Sequence, residues 1–102
     1  MLFRQGDVYI ESVRCVPAGA ARQVSTVLAD GELTGHRHRV RDFQTANVFA
    51  ASDETFIDVV ADRAAIVHEE HATIVLNRGV YRVWRQREYD PWAEFQQRIV
   101  LD

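Results

Sequence analysis

The chain of 102 residues has 47% hydrophobic and 26% charged residues, which fits one globular domain with a single core. Its net charge of −3 gives no overall attraction for nucleic acid, and the lone Cys15 excludes an internal disulfide or a thiolate metal cluster. No apolar run approaches the roughly 20 residues of a membrane span, and the start, Met1-Leu2-Phe3-Arg4-Gln5-Gly6-Asp7, turns polar too early for a signal peptide, so the expectation is a soluble cytoplasmic protein.

Taken in order, Gly6 precedes a half-buried strand over Asp7 to Ser12, where Val8 and Ile10 alternate with Asp7, Tyr9 and Glu11. Pro17-Ala18-Gly19 breaks the chain. Gln23 to Ala29, rich in Val and Thr, ends at Asp30-Gly31. Asp-Gly between two alternating segments is a hairpin signal, because both central turn residues need positive φ. The second arm of that hairpin carries Gly35-His36-Arg37-His38, and alternation sends His36 and His38 to one face, Arg37 and Arg39 to the other.

Phe43 to Ala51 and Thr55 to Val60 read as strands about the turn Ser52-Asp53-Glu54. After a break at Ala61-Asp62-Arg63 comes a short apolar strand, Ala64 to His68. His68-Glu69-Glu70-His71 follows, then Ala72 to Leu76 and a turn at Asn77-Arg78-Gly79. Val80 to Tyr89 is the longest strand expected, with Tyr81, Val83, Arg85, Arg87 and Tyr89 on one face and Val80, Arg82, Trp84, Gln86 and Glu88 on the other. Asp90-Pro91 is a helix-start signal, and a helix from Pro91 to about Gln97 would bury Trp92 and Phe95. About seven to nine short strands with regular turns predict an all-β single domain over residues 1–102, a small barrel or sandwich with a short C-terminal helix.

The chemistry is concentrated in the histidines. All 4 lie in two pairs, His36 with His38 and His68 with His71, and neutral imidazoles in such number suit a divalent metal such as Zn, Fe, Mn or Ni. Glu69 or Glu70 would orient an imidazole or act as the base of a metal-dependent hydrolase. The His-Glu-Glu-His spacing differs from that of the helical zinc proteases. All 12 basic residues are arginine, a bias that a GC-rich genome also explains. Seven of them, Arg37, Arg39, Arg41, Arg78, Arg82, Arg85 and Arg87, adjoin the histidine pairs in sequence. Of these, Arg37, Arg39, Arg85 and Arg87 form with Tyr81 a candidate anion- or nucleic-acid-binding site, since guanidinium suits phosphate and aromatic rings stack on bases.

The run Gly31-Glu32-Leu33-Thr34-Gly35-His36-Arg37-His38-Arg39, with His68-Glu69-Glu70-His71, Gly79 to Val83 and Arg85 to Tyr89, resembles small uncharacterised bacterial and phage proteins over most of the chain. That resemblance implies no activity. The order of elements is also similar to the cupin barrel, with Gly31, His36 and His38 matching its first motif in kind and Asp42 where an acidic ligand would fall. Its second motif keeps Gly79 but lacks the Pro and the His, so His68 or His71 would have to supply the missing ligand.

Three functions therefore compete: the metal-dependent hydrolase, a metal-independent ribonuclease using a His/His acid–base pair with arginines, and a non-enzymatic RNA- or protein-binding module. The expected partner is a small anionic substrate or RNA, with no membrane, and an edge strand could pair two copies in a homodimer.

Overall fold

The computed structural model describes residues 1–30, 35–52 and 54–85. They form eight strands: β1 (Leu2–Gln5), β2 (Val8–Val13), β3 (Ala21–Gln23), β4 (Val27–Asp30), β5 (Arg37–Val40), β6 (Ala46–Ala51), β7 (Glu54–Val67) and β8 (Ile74–Arg85). All belong to one antiparallel sheet with the main order β1-β2-β8-β7-β5-β4, while β6 pairs with β7 and carries β3.

This corrects the expected architecture. The all-β class stands, but the sheet is a single curled half-barrel in place of a closed barrel or a two-sheet sandwich. No helix occurs among the described residues, and the helix expected over 91–97 lies outside them, as do the last residues of the longest expected strand. One curved sheet suffices because its concave face covers its own core. Val8, Ile10, Val40, Ile57, Ile66 and Leu76 are each fully buried there, and burial of such a side chain stabilises by about 2 kcal/mol. No helix among the described residues is long and apolar enough to cross a membrane.

The breaks expected at 61–63 and 77–79 are two halves of one feature. β7 and β8 run straight through them, but Val59 stands opposite Gly79 and Arg63 opposite Asn77. Residues 60–62 therefore face Arg78 alone, and the surplus makes a bulge. The inward positions change parity there, from Ile57 and Val59 to Ala64 and Ile66 on β7, and from Leu76 to Tyr81 and Val83 on β8. Thr45 O accepts the N–H groups of Val60 and Ala61 at 3.0 and 3.2 Å, and Arg78 bonds Asp62 at 3.0 Å. Before the bulge β7 pairs with β6; after it, with β5. The sheet forks at this point, and the β5 branch carries the first histidines.

The expected hairpin between β4 and β5 is present, but Asp30 pairs with Arg37. Its connection is thus residues 31–36 and not a two-residue Asp-Gly turn; Gly31 lies outside the described residues. Curling brings edge strand β1 across to the other branch. The Gln5 amide donates to Ile66 O and Ala72 O, both at 2.9 Å, and its oxygen meets His38 of β5 at 2.9 Å. Gln5 and His38 are the buried polar residues of the described chain, and the Gln5 amide, bonded at both ends, closes the open end of the core.

Candidate functional site

Alternation along β5 turns Arg37 and Arg39 outward and buries His38 and Val40. His36 lies just before this strand, and His68 and His71 lie in the connection from β7 to β8. The four rings come together at the rim of the half-barrel. His38 and His68 centroids are 4.3 Å apart, His68 and His71 4.7 Å, His36 and His68 5.8 Å, and His38 and His71 6.2 Å. His38 is wholly buried beneath the group. The other three rings reach solvent, His71 exposed and His36 and His68 half-buried.

The surrounding polar contacts set the rings. His38 has Gln5 Oε1 at Nδ1 and Asp7 Oδ1 at Nε2, 2.9 and 3.4 Å away. The second oxygen of Asp7 lies 3.1 Å from Arg85 Nε. Glu70 donates its N–H to His68 Nδ1 at 3.0 Å, and its carboxylate stands 3.6 Å from His36 Nδ1. Glu69 accepts the Arg37 N–H at 2.8 Å, which ties the β7–β8 connection to the start of β5. Burial, and then the neighbouring His68, push the His38 imidazole below the ordinary histidine range against the opposing pull of Asp7. The Arg37 N–H bond holds the Glu69 carboxyl below its usual value.

Gly6 makes the assembly sterically feasible. Its φ of +61° suits the tight turn between β1 and β2, and a Cβ there would lie 2.5 Å from His71 Nε2. The turn backbone serves as a floor for that ring. Asp7, Gln5 and Gly6 were not among the candidate residues from sequence. Their only signal was a Gly-Asp turn beside the first alternating strand, since β1 itself is too short and mixed to announce a partner.

The four expected metal ligands do meet, yet the metal assignment is corrected. Among the described residues no group of three or more His, Cys, Asp or Glu side chains is arranged to hold a metal ion. Coordination needs in-plane nitrogen lone pairs aimed at one point. Here the rings of His38, His68 and His71 lie against one another with interplanar angles of 8–40°, while both nitrogens of His38 and Nδ1 of His68 face other groups. The Zn, Fe, Mn or Ni cofactor and the hydrolase built on it, with Glu69 or Glu70 as base, fall with the site.

The arginine–aromatic residues separate. Arg85 joins the histidine site through Asp7. Tyr81 is buried in the core, its hydroxyl donating to Asn77 O at 2.8 Å, and burial raises its phenol above the usual range. Arg39 points outward opposite Val27 and Val67, the Arg37 side chain approaches Asp30 at 3.7 Å, and Arg87 lies outside the described residues. On the convex face Trp84 stacks on Tyr9 at 5.4 Å and 17°. The Arg82 guanidinium sits 4.5 Å over Trp84 and that of Arg4 5.4 Å over Tyr9.

With this geometry in place, the family model of a domain of unknown function, DUF8820, matches residues 4–86. The chain belongs to that family. No curated protein and no solved structure matches it. The sequence resemblances are corrected accordingly: what stands is a small, mostly β domain of unknown function, with no cupin-type metal triad among its described residues. Asp42, placed by the cupin comparison near an acidic ligand, instead accepts the Gln44 N–H at 3.1 Å in a turn.

Proposed function

We propose that the histidine cluster is a metal-independent acid–base site that cleaves RNA. The observation that carries this reading is the rim of mutually packed imidazoles, three of them open to solvent, with Arg85 held beside them by Asp7. Transesterification needs only a base, an acid and positive charge. His36 takes the 2′-hydroxyl proton at Nε2, and Glu70 at its Nδ1 stabilises the imidazolium so formed. The 2′-oxygen bonds to phosphorus and the bond to the 5′-oxygen breaks. His71, as the imidazolium, gives a ring proton to that leaving oxygen and ends neutral, while His68, whose Nδ1 accepts the Glu70 N–H, offers its Nε2–H as a hydrogen bond to a phosphoryl oxygen. Arg85 offsets charge on the phosphorane. The substrate setting is cytoplasmic RNA.

The third expected reading, a binding module, has less support on the convex face. There the stacked Tyr9 and Trp84 rings already lie between two guanidiniums, which leaves little ring surface for a base.

The test is a labelled RNA oligonucleotide incubated with the protein in excess EDTA. Fragments ending in 2′,3′-cyclic phosphate, absent with 2′-deoxy substrate and with His36→Ala or His71→Ala, are the expected result. Intact RNA under all conditions, or cleavage that survives both substitutions, overturns the reading.

A further inference from the structure

Gln5 fixes the chemistry of the buried histidine. Both hydrogens of its amide are committed, one to Ile66 O and one to Ala72 O, so the group facing His38 Nδ1 at 2.9 Å is the carbonyl oxygen. An amide oxygen only accepts. His38 must therefore carry a hydrogen on Nδ1, and reversing the amide would set its oxygen against two carbonyls. Neutral His38 then has its lone pair on Nε2, and that atom faces Asp7 Oδ1 at 3.4 Å. Two acceptors oppose each other in a place closed to solvent on the histidine side, since His38 is only 1% exposed.

We infer that Asp7 and His38 form a buried proton switch for the histidine cluster: one proton taken up at His38 Nε2 closes a hydrogen bond to Asp7 and puts positive charge under His68. The inference deepens the acid–base reading given above and rests on it for its function. The N–H so formed donates to Oδ1 while Arg85 keeps Oδ2, so the carboxylate is shared between two cations. The His68 ring, 4.3 Å from that of His38, then lies against a positive charge, and its Nε2–H, with Nδ1 accepting the Glu70 N–H, becomes a stronger donor to an anionic phosphoryl oxygen.

The groups around His38 all enter this balance. Asp7 comes from the β1–β2 turn and Arg85, through it, from β8. His68 and His71 come from the β7–β8 connection, with Glu70 linking that connection to His36. Arg37 and Arg39 on the same strand point to the opposite, exposed face, where Arg37 meets Asp30 from β4. Asp7 draws the proton in; burial, His68 and His71 resist it. The resistance prevails, so the transition lies below the ordinary histidine range, and an anion bound at the cluster would raise it.

The experiment is imidazole ¹⁵N NMR on the full chain through the histidine titration range. In the wild type His38 should stay protonated at Nδ1 throughout and gain its Nε2 proton on acidification, with the His68 resonances moving in the same step. Asp7→Asn should lower the pH of that step by at least about one unit, tenfold in proton affinity. A His38 protonated at Nε2 on the alkaline side overturns the switch from the wild type alone, whether or not the variant folds, as does an unmoved midpoint in folded Asp7→Asn. Inorganic phosphate added to the same sample checks the anion-handling reading separately. Unmoved His68 and His71 signals with an intact His38 step defeat that reading and leave the proton pair standing.

Discussion

Two groups of rings and cations flank the same corner of the sheet, and they have opposite economies of charge. On the convex face Arg4, Tyr9, Trp84 and Arg82 form a closed stack across β1, β2 and β8, with Glu54 and Glu11 at 3.5 and 4.0 Å from Arg82. Every cation there has a ring face or a carboxylate. On the concave rim four imidazoles meet each other, and one buried nitrogen faces a carboxylate with no proton assigned between them. Arginine keeps its charge throughout the working pH range, so its stacking on the rings does not change with pH, whereas imidazoles in contact gain or lose stability with each proton. The first group is built for the fold and the second for chemistry.

Substitutions that separate the two groups should show it, and the largest effect belongs to the rim. His36→Ala and His71→Ala each remove a proton-transfer partner and should lower kcat/KM for RNA by about 10²- to 10⁴-fold, with far-UV circular dichroism unchanged. The mirror experiment is Trp84→Ala. It removes a stacked pair and a cation–π contact and should lower unfolding stability by about 2 kcal/mol in chemical denaturation. Its kcat/KM should stay within a factor of about two, a change of under 0.5 kcal/mol. Loss of activity in Trp84→Ala with the fold intact would make the convex face part of substrate binding and erase the distinction.

Gly6→Ala probes the seam between them. The turn needs positive φ, and the new methyl must displace His71. The left-handed conformation alone costs about 1–2 kcal/mol, read as a lower denaturation midpoint. Cleavage should fall as well, because the ring that moves is the one lying on the turn. A variant that loses stability but keeps full activity would show that His71 is outside the chemistry.

How far the sequence shows this plan depends on distance along the chain. Val8 and Ile10 alternate visibly, and His36 and His38 sit where a strand places them on one face. Convergence of the two histidine pairs was already readable as a hypothesis, since 4 imidazoles in two pairs is an unusual use of them. The ring orientations that decide against a metal were not, because they depend on Gln5, Asp7 and the Glu70 N–H, contacts spanning up to 67 residues. The bulge was misread for a related reason. Ala61-Asp62-Arg63 and Asn77-Arg78-Gly79 each look like a turn, and only their pairing across β7 and β8 turns two breaks into one fork. Tyr81 shows the same limit: its aromatic–arginine neighbours suggest a binding face, while the parity change at the bulge sends it into the core.

The smallest expected effect is a pH dependence that the convex stack should lack. His38 in the folded chain is held below its ordinary value of 6.5, so just below that pH the unfolded chain binds more protons than the folded one. Stability is then fully present above 6.5 and declines as pH falls toward the folded value. Glu69, held below its ordinary 4.5 by the Arg37 N–H, adds a second decline of the same sign that begins only below that pH. Thermal melts should therefore show Tm falling in an upper window that opens below 6.5 and a lower one that opens below 4.5. His38→Gln should flatten the upper window and leave the lower one, because an amide carries no proton through that range. Glu69→Gln should do the reverse, since an amide oxygen still accepts the Arg37 N–H without titrating. Trp84→Ala should shift the whole curve down and keep both slopes. An upper window that survives in His38→Gln would assign it to the exposed imidazoles, and burial of His38 would then have no part in the acid sensitivity of the fold.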